Sequence, residues 1–283
     1  MKRTIVPFLF ASLFLAAPAS AQVLYNNGVV KGGGGSFGIT TDFGAGFGGS
    51  DASQAAAAYG RSVSSPQFAD DFILTSFQSS ITSLTVYSHI PGYTNTATTP
   101  FTSTTINIYS GRPGDVGTTL IATSSNQINS EFTNVYRVPA GSTPATLTLS
   151  DRPVFATTVG FTNLTLNAGT YWFSFAQTSN NPGNVSVSGV TKVVNGSVQI
   201  VSGNALGFNT GSNPWVPLVH QANPGGTDPN APQIQMELSF LVNGRAIAAP
   251  VAPEPGSLAL VVLPMAASLA FRRFRRRRLK TPA

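Results

Sequence analysis

Few side chains in this chain are equipped for catalysis. There is no cysteine, and the only histidines are His89 and His220. Neither has another histidine or a carboxylate within five residues. A zinc centre would need both histidines and carboxylates brought together from distant segments. A Ser-His-Asp triad likewise converges only in a fold. Both histidines therefore read as surface or loop residues.

The carboxylates are as sparse. Between the two ends of the chain lie nine, from Asp42 to Glu237. Glycoside hydrolysis needs two of them about 5 to 9.5 Å apart, one protonated and one ionised. The adjacent Asp70 and Asp71 sit in a strand-like run, so they should point to opposite faces and cannot form a facing pair on their own. An inward Asp on such a strand could bind Ca²⁺ together with backbone carbonyls, although a hydrogen bond to a neighbouring turn is the plainer use. The residues assign no catalytic group, no cofactor and no metal ligand, and the body reads as non-enzymatic. Sugar recognition needs exposed aromatic faces with amide and carboxylate partners. Trp215 and Tyr93 are the candidate glycan contacts, whereas Trp172, within Tyr171-Trp-Phe-Ser-Phe175, reads as core.

The elements that would position these groups are short alternating strands. Phe68–Leu74 and Ser80–Ser88 are two, and Ser103–Ser110 puts Ile106 and Ile108 on one face. Gly111-Arg-Pro-Gly114 makes a turn. Further strands are expected over 119–124, 135–138, 145–149, 154–166, 169–176 and 234–242. No stretch of the body keeps an apolar period of 3.6. The pattern predicts an all-β fold, an antiparallel β-sandwich of jelly-roll style, with a closed barrel as the alternative that spacing leaves open. Residues 22–67 are set apart by runs such as Gly32-Gly-Gly-Gly35, and the sandwich is expected over 68–245. With roughly 230 residues and no disulfide, the body must be held by its core.

Both ends carry routing information. Residues 1–21 have a basic start, an apolar stretch and the small-residue pattern Ala19-Ser20-Ala21, so a signal peptidase is expected to cleave before Gln22. At the other end, after a linker over 246–252, come Pro253-Glu254-Pro255, an apolar run over 257–271, and six arginines between Arg272 and Arg278. The apolar run predicts a helix of about 22 Å, short of a ~30 Å hydrocarbon core. The arginines hold its far side cytoplasmic, leaving the body outside. Without the two ends the net charge of +6 disappears: seven scattered basic residues face nine acids, which excludes a nucleic-acid partner.

The order of the tail, over 253–280, resembles the PEP-CTERM sorting signal. The resemblance implies that Pro253, Glu254 and Pro255 are read by an exosortase, a transpeptidase-like membrane enzyme of bacteria that make extracellular polysaccharide. The body, in turn, resembles exported bacterial proteins that begin near a Tyr-Asn-Asn-Gly segment, here Tyr25–Gly28, and continue with Ala69-Asp70-Asp71-Phe72. That likeness implies a β-sandwich and no catalytic role. The expectation is an exported envelope or matrix protein, anchored transiently in the inner membrane by 257–271. Its partners would be signal peptidase, an exosortase-like enzyme and extracellular polysaccharide, and its role structural or adhesive. A lectin-like module and an exported polysaccharide hydrolase are the alternatives.

Overall fold

The computed structural model describes residues 21–27, 57–58, 63–64, 66–137, 152–181, 185–187, 191–194, 197–200, 202–208, 214–221 and 233–249. The first twenty residues, the strand expected over 145–149, the Pro253-Glu254-Pro255 motif and the apolar run 257–271 lie outside them. The chain divides into units of residues 1–247 and 248–283; of the second, only the exposed Ala248 and Ala249 are described. Among the described residues there is no α-helix, and hence no helix long and apolar enough to cross a membrane.

The strands are β1 (Gln22–Asn26), β2 (Ala57–Ala58), β3 (Val63–Ser64), β4 (Phe68–Ser88), β5 (Phe101–Tyr109), β6 (Leu120–Ser124), β7 (Asn126–Arg137) and β8 (Pro153–Ser179). After these come β9 (Ser186–Val187), β10 (Thr191–Val194), β11 (Ser197–Ile200), β12 (Leu206–Phe208), β13 (Trp215–Pro217), β14 (Val219–Gln221), β15 (Gln233–Gln235) and β16 (Phe240–Ile247). The principal sheet runs β1-β16-β4-β8-β5-β6, and apart from the short parallel pairing of β2 with β7 its ladders are antiparallel. The all-β expectation therefore holds.

Two pairs of expected strands are each one long strand. Phe68–Leu74 and Ser80–Ser88 are continuous in β4, and 154–166 joins 169–176 in β8. Bulges explain why the alternation looked broken. Thr75, Ser76 and Phe77 on β4 stand against the gap between Asn167 and Gly169, and residues 161–163 on β8 stand against the gap between Ile81 and Ser83. Extra residues reset the inward and outward alternation and bend the ribbon. Asn163, inside the second bulge, has φ 58°, a left-handed conformation that Asn tolerates better than most residues.

Past the bulges the β4/β8 ribbon has different neighbours. One half, Phe68–Leu74 with Gly169–Phe175, is flanked by β12 and β5; the other, Gln78–Ser88 with Phe155–Asn167, is flanked by β16 and β7. Phe68, Phe72, Leu84, Ile106, Ile108, Phe173 and Phe240 are fully or almost fully buried in one core. Phe173 from the first half meets Phe240 from the flank of the second at 4.5 Å between ring centres.

Two substitutions test this packing. Phe173→Ala should cost about 3 to 5 kcal/mol in urea unfolding. Gly244→Ala would drive a methyl group into the Ser80 carbonyl at the β16 bulge, where backbone and not a flexible side chain stands in the way. It should lower the unfolding midpoint clearly, and an unchanged midpoint would show that the β4/β16 ladder can separate there.

Candidate functional site

The carboxylates converge where sequence spacing alone did not place them. Asp70 and Asp71 come from β4, and Glu237 comes from the segment between β15 and β16. One carboxylate oxygen from each lies within 4.8 Å of the others. The two aspartates do alternate along the strand, but Glu237 arrives from outside β4 and gives them a common partner. The sequence pattern predicts one continuous strand over 234–242. That strand is instead interrupted between Gln235 and Phe240, where Leu238 donates its N–H to Asp70 Oδ2 at 2.6 Å. A side-chain carboxylate has taken a place that a strand carbonyl would fill in a regular ladder.

Asp70 is 0 % exposed. Its Oδ1 accepts the Asp71 N–H at 2.9 Å, and its carboxyl is hydrogen-bonded to Glu237. Glu237 Oε2 accepts Asn27 Nδ2 at 2.8 Å, and the same amide nitrogen donates to the Leu238 carbonyl at 2.9 Å. The Asn204 backbone N–H also serves the Glu237 carboxylate. Gly203 is required close by, because a Cβ there would overlap the Glu237 carboxyl group. The cluster thus ties together the N-terminal segment, β4, the approach to β12 and the approach to β16.

Burial raises the affinity of Asp70 for a proton well above the usual carboxylate range, with the neighbouring Glu237 charge adding to it. Burial raises Glu237 as well, against the opposing effect of its hydrogen bond from Asn27. Two carboxyls this close, one of them wholly removed from water, can share a proton. Tyr25 stands by them, stacked on Phe240 at 5.6 Å; its own burial and then the Glu237 charge push its hydroxyl up to about 12. Chemically, the trio can retain a proton or offer three oxygens to a hard cation such as Ca²⁺. Asp70 is enclosed, whereas Asp71 and Glu237 are half-buried.

The aromatic candidates fall into separate places. Trp215 lies in β13, half-buried against the cluster of Ala69, Trp172 and Leu206, with Phe208 edge-on at 5.3 Å. Tyr93 packs in another cluster with Ile90, Phe101 and Phe155. One compact glycan site does not gather both. Trp172 is 7 % exposed, as a core residue should be. His89 is 1 % exposed beside Ser186 and is not a surface residue; His220 lies in β14 opposite Ile234. Gln22 opens β1, while Ala19 and the Pro253-Glu254-Pro255 motif are outside the described residues.

Because the folded state holds Asp70 and Glu237 above their unfolded values, their contribution to stability is greatest below about pH 4. It is lost as the pH rises through the raised folded values. Asp70→Asn should flatten this fall in urea unfolding measured between pH 4 and 8, and equal slopes in the two proteins would contradict a shared proton. Gly203→Ala should expel the Glu237 side chain and lower the unfolding midpoint.

No protein-family model, no curated protein and no solved structure matches this chain.

Proposed function

We propose that this chain is an exported β-protein of the bacterial envelope or extracellular matrix. A signal peptidase removes residues 1–21, and an exosortase-like membrane enzyme processes the chain at Pro253-Glu254-Pro255. The supporting observation is the fit between these cuts and the strands. β1 begins at Gln22, the first residue after the expected cleavage, and its partner β16 ends at Ile247, six residues before Pro253. Gln22 stands opposite Gly244. Cuts at both places leave the whole principal sheet intact and its first and last strands paired.

The body is read as a two-layer sandwich of jelly-roll style, a reading supported by the ring contact between Phe173 and Phe240 from the two halves of the bent ribbon. Its role is structural or adhesive, with a hydroxyl-rich surface suited to hydrogen bonding with polysaccharide. Hydroxyl pairs such as Thr102–Thr178 and Thr105–Ser125, each at 2.8 Å, lie on its exposed strands. The segment 257–271 anchors the chain in the inner membrane until it is processed. A lectin-like role is the second reading, resting on the half-buried Trp215, which packs against the same Ala69–Trp172–Leu206 cluster as Tyr109.

Intact mass of the mature protein from its native bacterium tests the route. Wild type should end near residues 253–256, and Glu254→Ala should keep the arginine tail in the membrane. If both forms run through Ala283, the tail is an anchor and nothing more. For the second reading, glycan-array binding that disappears in Trp215→Ala would favour a lectin.

A further inference from the structure

The first bulge presents a side chain that the core does not use. Residues 75–77 are extra to the β4/β8 ladder, and Phe77 among them is 54 % exposed. A phenylalanine put outside by a bulge gains nothing from the fold, and bulges commonly re-aim a side chain toward a function. The next residue, Gln78, pairs with Ile247, the last residue of β16. Phe77 therefore lies next to the end of the β4/β16 ladder, where β16 ends and the chain goes on toward its apolar run.

Covalent length limits how far this end can be from a membrane that holds the run. Ten residues lie between Ile247 and Leu258, eleven Cα-to-Cα steps with an extended reach of at most about 40 Å. The opposite end of the same ladder, the Val86–Phe240 pair, is eight strand residues beyond Gln78, about 26 Å farther. Charge points the same way. Across the described residues 75–83, 160–169 and 243–249 there is one ionisable side chain, the exposed Arg245, and no carboxylate. A surface with an exposed ring and a cation, and no acid, suits anionic lipid headgroups.

We infer that the bulge end of the β4/β16 ladder, led by Phe77 and with Arg245 opposite Ser80 on the neighbouring strand, is a membrane-contact surface that rests on the lipid headgroups while the tail is inserted. This inference rests on the anchoring reading of residues 257–271. The contact would hold the folded body against the bilayer with β16 leading directly down to the Pro253-Glu254-Pro255 motif. A lipid surface, and not a protein partner, is the occupant assigned.

The absence of native cysteine allows a direct test. Phe77→Cys, Thr75→Cys and Thr94→Cys in the full-length chain are each labelled with an environment-sensitive NBD fluorophore and reconstituted into vesicles of phosphatidylglycerol and phosphatidylethanolamine. Thr75 lies in the same bulge and leaves Phe77 in place; Thr94 is exposed in the loop beyond Ser88 and serves as the distant control. Labels at 75 and 77 should shift to the blue and be quenched by lipids carrying a headgroup-level spin label, while the label at 94 should remain water-like. Arg245→Glu should weaken the quenching at 75. If the chain fails to co-float with vesicles, the anchoring reading falls and this inference with it. If it co-floats and the labels at 75 and 77 stay as water-like as that at 94, anchoring stands and the contact surface is refuted.

Discussion

The ladder between β4 and β8 is the constraint on which the rest of the sheet depends. It runs from the Phe68–Phe175 pair to the Ser88–Phe155 pair, and β5, β7, β12 and β16 each hydrogen-bond to one of its two strands. A straight ribbon of this length would leave its apolar faces in water. The two bulges bend it, so that rings carried by different parts, such as Phe173 and Phe240, bury one another.

The buried carboxyls close this arrangement where the ladder is incomplete. Near Asp70 the flank of β4 is met by β12 only at Phe68 and Ala69, and β16 joins farther along at Gln78. Between these neighbours the Asp70 carboxylate accepts the Leu238 N–H, and Asn27 holds Glu237 and the Leu238 carbonyl. A buried ion costs several kcal/mol unless it is paired and hydrogen-bonded, and a shared proton removes much of that charge. The cluster is thus explained as a structural clasp between segments far apart in the chain.

The same sheet brings the two ends of the body together. Antiparallel pairing of β1 with β16 sets Gln22 across from Gly244, so the part of the chain expected to follow the signal peptide and the part leading to the tail leave from one end. Under the proposed processing at residues 21 and 253–255, such a geometry would keep folded structure clear of both cuts.

The amino-acid sequence by itself determined the all-β class and the runs that become β4, β5 and β8. These follow from local signals: a period of two and turn residues. It also placed Trp172 in the core, from the apolar neighbours on either side of it. Tertiary structure decided the rest. That 68–88 and 153–179 are single strands was hidden, because bulge residues such as Phe77 and Asn163 interrupt the alternation. Glu237 and Asp70 are 167 positions apart, so no spacing rule could join them; nor could it show that Leu238 would leave the ladder for a carboxylate. His89 became a core residue because its strand end is covered at Ser186 by a distant segment. Local periodicity reports which face a residue prefers, whereas a site depends on what the folded chain brings to that face.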